Sequence, residues 1–380
     1  MTDTKGPKPN LIRTSKNRLK LGVFGTNGAG AAFTFHPERF VPTWDANLRL
    51  AKKADALGLE AFVSAAHWKA FGGDGHYSGD IWETFTWAGA VAAVTERIAI
   101  ISTLHVTLLP PIWVAKAETT VDLISNGRAG MNLVCGWYPA EQELFGVKLR
   151  EHTDRYGYAD EWVQVFDRFW SEKKGFDFEG QYFNIKGAMS QPRPVQSRPV
   201  LLNAGGSPRG QEFAGKNCDV AFIIPQNPDP AFVKTQVDQY RNMAREKFGR
   251  EIDVWMSSYC VIRDTAEEAQ AYAHDYIVTQ GDDAAVADLI RLNIPNAKTM
   301  PDGAIAHMSY AFKAGWGGYP LVGTAEDVAK AMSALSDAGI DGLLLTWLNY
   351  EDGVERLAKE VLPRLEAAGL RHPAEPLAKK

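Results

Sequence analysis

The residues best suited to chemistry in this chain sit where short apolar runs stop. Asn132 interrupts the run "MNLV", and Cys135-Gly136-Trp137 follows it. Thr103 and His105 close "STLH", His67 closes "SAAH", and Asn203 to Ser207 read "NAGGS". An amide inside an apolar run needs a hydrogen-bond partner or costs about 1–3 kcal/mol. Asn132 therefore either bonds a neighbouring strand or faces a polar ligand. His67 and His105 can be packed or capping residues as well as site residues, and Thr103 can be core filler. These run ends offer groups that hydrogen-bond without ionising, rather than clustered acids and histidines. Glu141 and Glu143 open a helical stretch, where acids favour the helix dipole, and a two-residue offset does not appose them as an acid–base pair. Paired-carboxylate chemistry of the glycosidase kind is not expected. Cys135, Cys218 and Cys260 are widely spaced, with no CxxC and no His/Cys cluster, so neither a metal centre nor a disulfide framework is expected. Cys135, with no base paired to it, reads as a packing residue.

"NAGGSPRG" carries the cofactor hint. A strand ending in Gly205-Gly206-Ser207 before a helix offers unblocked backbone N–H groups and a helix N-terminus, both suited to a phosphate. Arg155-Tyr156 can add a guanidinium and a phenol to the same group. The plainer alternative is a tight turn with Ser207 as helix N-cap.

These residues need elements that hold them together. Apolar runs of strand length alternate with amphipathic stretches: "LKLGVFG", "LEAFVSA", "RIAIIST", "RAGMNLV", "PVLLNAGG", "DVAFIIP", "DVWMSSYCVIR" and "IDGLLLTW" are separated by helical patterns such as "TWDANLRLAKKADALG". About eight such units with continuously apolar strands imply a parallel sheet covered by helices, and favour a (β/α)8 TIM barrel over an open sheet. In a barrel the chemistry lies at the C-terminal strand ends, where the polar residues above fall. The Gly-rich "GTNGAGAA" lacks the G-x-G-x-x-G spacing of a doubly wound dinucleotide fold. The expected organisation is an N-terminal extension over 1–18, a single barrel domain over 19–367 and a tail over 368–380. Insertion segments cover the C-terminal face, with a lid insertion near 281–320. Stretches at about 26–43 and 172–198 are also longer than ordinary connections.

Composition narrows the class. The chain has 380 residues, 45% of them hydrophobic, with formal net charge −5. Nothing in that balance invites nucleic acid or anionic lipid. No apolar stretch approaches the ~20 residues of a membrane span, and "MTDTKGPKPN" has no signal-peptide h-region. A cytoplasmic protein is expected. Eleven Trp and twelve Tyr suit pockets for flat or amphipathic molecules.

With the motifs in place, "TTVDLISNGRAGMNLVCGW" (119–137) resembles the signature region of the bacterial luciferase-like flavin-dependent monooxygenases. Its specific part is the Asp-x-x-Ser-x-Gly-Arg run before a strand. The stretch from "FDFEGQYFNIKG" to "NAGGSPRG", and "GYPLVGTAEDVAKAMSALSDAGIDGLLLTW", resemble further stations of that family in the same order. "FGGDG", "HVTLLPP", "NLVCGW" and "DRYGYADEWVQVFDRFW" look most like its pyrimidine and dimethylsulfone monooxygenase branches. The chain departs from the pyrimidine branch at Ala65-Ala66-His67, where those enzymes carry a bulky apolar residue and a Lys. It also lacks their basic residue after Trp137, and "WGGYPLVGT" looks closer to the sulfone branch.

The resemblance implies an FMNH2-dependent monooxygenase of a two-component system, supplied by a separate NAD(P)H:flavin reductase and using O2 through a flavin (hydro)peroxide at N5 or C4a. It implies FMN contacts at Ala66, His67, Asn132, Glu141, Arg155, Tyr156, Gly206 and Ser207. Thr103, Asn132 and Trp137 would enclose O2 in the catalytic role, and Phe222 and His105 would border a small substrate such as an amide or pyrimidine-like ring or a sulfone. A homo-oligomer, dimer or tetramer, is expected by the same analogy. The alternatives are an F420-dependent hydride-transfer enzyme of the same fold and a non-catalytic flavin-binding protein.

Overall fold

The computed structural model describes residues 8–72, 74–225, 227–293 and 302–377. Among the described residues eleven strands form: β1 (Lys20–Phe24), β2 (Ala61–Val63), β3 (Ala99–His105), β4 (Ala129–Val134), β5 (Phe176–Glu179), β6 (Asn184–Ala188), β7 (Val200–Asn203), β8 (Val220–Ile223), β9 (Asp253–Ile262), β10 (Tyr319–Gly323) and β11 (Gly342–Thr346). The eight strands expected from the apolar runs pair in parallel in the order β1-β2-β3-β4-β7-β8-β9-β11, and β11 returns to β1. The fold is a (β/α)8 TIM barrel.

Three strands lie outside that ring. β5 and β6 make an antiparallel hairpin within the long 172–198 connection. β10 pairs with the outer half of β9, from Tyr319 opposite Ser258 to Gly323 opposite Ile262, beyond the point where β8 stops at Met256. The short run "YPLVG" gave no separate strand signal inside a loop rich in Gly and Pro.

Alternation along each strand decides what fills the barrel. Ala61, Val63, Ala99, Ile101, Val200, Leu202, Val220, Phe222, Trp255 and Leu344 pack together inside it, and Ile12 from the N-terminal turn Leu11–Thr14 joins them. Gly342 makes this possible, because a Cβ there would lie 2.4 Å from the Trp255 ring. Continuing the same parity up β3 and β4 turns Thr103, His105 and Asn132 inward at the C-terminal end. At the other end, Leu19 donates its N–H to the Leu370 carbonyl and Arg371 pairs with buried Glu60 at 2.9 Å. Residues 370–371 of the expected tail are thus built into the barrel floor.

The expected lid segment near 281–320 contains the helices Asp283–Asn293 and Asp302–Gly315; its stretch 294–301 lies outside the described residues. Ala285, Val286 and Leu289 of the first helix pack with Phe33, Phe71 and Tyr138, which follow β1, β2 and β4. Trp316 stacks on Phe33 with centroids 5.4 Å apart. This second apolar cluster therefore sits over the C-terminal strand ends. Among the described residues no helix is long and apolar enough to cross a membrane.

Candidate active site

The deepest polar pair at the mouth joins β3 to β4. Thr103 and Asn132 are register partners, and Asn132 Nδ2 donates to Thr103 Oγ1 at 3.3 Å. Thr103 in turn donates its hydroxyl to the Ser64 carbonyl, and its N–H to Ser64 Oγ at 2.9 Å. Asn132 Oδ1 is buried with no partner among the described residues. Of the two possibilities for Asn132, the bond to the neighbouring strand is real but uses only half of the amide. The unused acceptor points to a ligand donor, since leaving it empty costs about 1–3 kcal/mol.

Above this pair, the expectation that no acid and histidines cluster is corrected. Pro139 starts a short helix, Pro139–Leu144, whose first turn carries Glu141 inward and leaves Glu143 exposed. Glu141 Oε1 lies 2.8 Å from His67 Nδ1 and accepts the Trp68 N–H at 2.9 Å. Its Oε2 lies 3.2 Å from His105 Nδ1, in contact but not in line for a good hydrogen bond. His67 and Glu141 stand 74 positions apart in the chain, so the pairing has no local signal; a turn-and-helix start after β4 is what returns the acid to the barrel axis. These three side chains, whose ligating atoms lie within 4.8 Å of one another, could also hold a cation.

Electrostatics favour an ionised Glu141. Burial pushes its carboxyl up, but the facing His105 and His67 outweigh that and hold it well below the usual carboxylate range. His67 itself is lowered, chiefly by burial and against the pull of Glu141. The two shifts do not both fit a cationic His67. The His67 Nδ1 contact and the Trp68 amide, both on Oε1, are the hydrogen bonds that hold the carboxylate ionised. The His67 ring is enclosed by Phe71, Trp137 and Trp316 at centroid distances of 5.3, 5.8 and 5.5 Å.

A third group lies at the β7 end. Ser207 caps the helix Pro208–Asn217 by accepting the Gly210 N–H, so the plainer reading of the motif holds as far as it goes. The loop is also shaped for more. Cβ atoms on Gly205 and Gly210 would lie 3.0 and 2.7 Å from the Tyr156 hydroxyl, whereas Gly206 opens onto free space. Arg155, near the start of the helix His152–Ser171, donates through Nη1 to the Gly136 carbonyl, next to Trp137, while its buried Nε has no partner among the described residues. Arg155 thereby ties the phosphate-suited loop to the wall that carries Trp137.

The remaining expected residues stand apart from these groups. Phe222 is in the barrel's apolar layer against Phe24, with centroids 6.0 Å apart, and Ala66 is half-buried beside His67. Cys135 is a buried thiol pushed well above its ordinary range by burial, as a packing residue should be.

Residues 19–342 match the family model described as luciferase-like monooxygenase. The chain belongs to that family. The pyrimidine monooxygenase RutA of Klebsiella pneumoniae is 30% identical over 91% of this chain and 96% of its own length. Among solved structures, long-chain alkane monooxygenase LadA shares the fold with TM-score 0.83 at 23% identity, covering 93% of this chain and 92% of its own. DmoA from Hyphomicrobium sulfonivorans does so with TM-score 0.83 at 20% identity, covering 95% and 91%. The chain is accordingly an enzyme of the flavin-dependent monooxygenase class.

Within the luciferase-like signature, the run from Asp122 to Arg128 is bonded into the scaffold. Asp122 accepts the Val195 and Gln196 N–H groups and the Gln196 amide. Arg128 is buried and directs its guanidinium to the carbonyls of Ala92, Thr95, Ile98 and Ser125. Both residues clamp the far end of β4, so that its near end presents Asn132.

Proposed function

We propose that this enzyme binds reduced FMN at the C-terminal face of the barrel and, with O2, oxidises and cleaves a small organic substrate. The substrate classes are an amide or pyrimidine-like ring and a sulfone. The observation that carries the reading is Asn132 Oδ1, an unused buried acceptor beside the Thr103 hydroxyl, at the mouth of a barrel that also carries a phosphate-suited loop. The donor set fits FMN. Gly206, Ser207, Tyr156 and Arg155 hold its phosphate, and Ala66, His67, Asn132 and Glu141 border its ring. When bound, reduced flavin supplies the oxygen activation.

The protein's part is binding, orientation and exclusion of water. Thr103 fixes the Asn132 amide, whose Oδ1 is turned to accept an N–H or O–H of the bound group beside the reacting oxygen. Trp137, stacked on Tyr138 at 5.4 Å and on Phe71 at 5.8 Å, closes the wall on the solvent side. Phe222 and His105 border the substrate. The enzyme acts in the cytoplasm as a homodimer or homotetramer, with an NAD(P)H:flavin reductase delivering FMNH2 by diffusion.

The test is to incubate the enzyme with FMN, a flavin reductase, NADH and 18O2 over a panel of sulfones, amides and pyrimidines. The expected result is a product carrying one 18O atom, formed only with the reductase. Absence of label from every product, or anaerobic reduction of F420 by a panel member, overturns it.

A further inference from the structure

Two unsatisfied polar atoms gather at Gly136, the residue before Trp137. Gly136 has φ +91°, and a Cβ there would lie 2.8 Å from Thr107 Oγ1 and 3.6 Å from Gln142 Nε2. Both atoms are buried, and neither has a partner among the described residues. Thr107 follows His105 in the turn after β3, where the Leu108 N–H bonds the His105 carbonyl. Gln142 is 1% exposed and follows Glu141 on the helix Pro139–Leu144. Its carbonyl accepts the Phe145 and Val147 N–H groups at 3.1 Å each, and Gly146 turns at φ +68°. That turn brings 147–151 beside Gln142 and Thr107, and together with Tyr158 they line an open cleft of about 560 Å³. The volume is within the range of small-molecule sites. No residue assigned above to the flavin or to the reacting oxygen lines it.

The chemistry of the lining selects the ligand. An amide NH2 and a hydroxyl are both donors in want of an acceptor. Two cations, Lys148 and Arg150, face the cleft against one acid, Glu151. Arg150 is already paired with Asp154 at 3.1 Å and lies 4.8 Å over the Tyr158 ring. Lys148 has no acid partner among the described residues. The last torsion of a glutamine is broad and two-fold, and the Gln142 NH2 has no bond to break in turning toward the cleft. We propose that this cleft is a second binding site, separate from the flavin mouth, for a small organic oxyanion, whether sulfonate or carboxylate. Its oxygens accept from Gln142 Nε2 and Thr107 Oγ1, Lys148 balances its charge, and Val147 and Leu149 border its apolar part.

Calorimetric titration of the full-length, flavin-free protein with methanesulfonate and with acetate, at constant ionic strength, tests the site. In protein labelled with 15N-glutamine, the side-chain NH2 signal lost in Gln142→Leu identifies Gln142. The expected result is saturable binding of one molecule per chain for at least one probe, with the Gln142 NH2 signal shifted at saturation. Gln142→Leu and Thr107→Val are close to isosteric and remove atoms that bond nothing in the free protein. Each should keep the thermal midpoint and weaken binding about tenfold or more, and either one carries the test if the other does not fold. Lys148→Ala should weaken binding about two- to fivefold, as an exposed charge does. No saturable binding of either probe, an unmoved Gln142 signal, or full affinity in Gln142→Leu and Thr107→Val overturns the proposal. Displacement of the probe by FMN but not by riboflavin also overturns it, by making the cleft the seat of the cofactor's phosphate. Binding is read without flavin or O2, so its failure is distinct from failure of the monooxygenase reading in the 18O experiment.

Discussion

Asn132 and Thr103 are joined by one hydrogen bond of 3.3 Å across β3 and β4, and the other half of the Asn132 amide is left buried and unused. Thr103 keeps its own bond to the Ser64 carbonyl whatever happens at position 132. Replacing Asn132 with Leu therefore removes one long bond and one orphaned acceptor together, and the two effects on stability oppose each other. The expected outcome is a thermal midpoint within a few degrees of wild type, and about a 10²-fold loss of kcat, the scale for losing one oriented polar group at a reacting oxygen. Differential scanning fluorimetry and turnover of the substrate found by the 18O panel check it. A folded Asn132→Leu enzyme with unchanged kcat would remove Asn132 from the reaction.

Arg155 and Gly206 test the phosphate end from opposite directions. A Cβ at Gly206 meets nothing in the free protein, so Gly206→Ala should leave the midpoint unchanged while placing a methyl group where phosphate would approach. Arg155→Met removes the guanidinium whose Nε is unpaired. Both substitutions should lower FMN affinity about tenfold or more and leave riboflavin affinity nearly the same, as read by flavin fluorescence titration. If FMN and riboflavin affinities fall together, the loop serves the ring or the fold rather than the phosphate.

The eight barrel strands and their order were legible because each is a short, mostly apolar run followed by an amphipathic stretch, a pattern set by burial on both faces. The β5–β6 hairpin and β10 were not, because each strand is only four or five residues long and sits among Gly residues in a long connection. At the site, Asn132 stood out as an amide in an apolar strand, and the Gly205-Gly206-Ser207 turn stood out by composition. The pairing of Glu141 with His67 and His105 was hidden, because it depends on where a six-residue helix after β4 turns. The signature run around Asp122 and Arg128 marked the family while serving the scaffold.

Arg128 gives that last statement a measurable form. Its guanidinium spans the end of one helix, Ser125, and the carbonyls of Ala92, Thr95 and Ile98. Burial pushes it down to about 10, with Asp55 and Glu96 opposing, so it stays charged at neutral pH. Lysine keeps the charge but lacks the flat fork that reaches several carbonyls at once. Arg128→Lys should cost at least about 3 kcal/mol in guanidinium unfolding. The folded fraction should bind FMN as tightly as wild type. Weakened flavin binding at full stability would mean the signature acts on the cofactor after all.

Glu118 makes the sharpest pH prediction. It is fully buried on the helix Pro111–Ser125, and among the described residues neither carboxylate oxygen has an aligned partner. Burial raises its pKa well above 4.5, Asp122 adds to the rise, and the nearby Ser102 hydroxyl opposes it. A folded-state pKa above the unfolded one means the folded protein binds the extra proton in that window, so stability falls as pH rises from about 4.5 toward the folded value. The slope from this one group approaches about 1.4 kcal/mol per pH unit. Glu118→Gln removes the titration. Guanidinium midpoints taken from pH 5 to pH 8 should show the variant gaining on wild type as pH rises, with the two closest at pH 5. A gap that does not change with pH would mean that Glu118 is ionised in the fold and finds its compensation elsewhere.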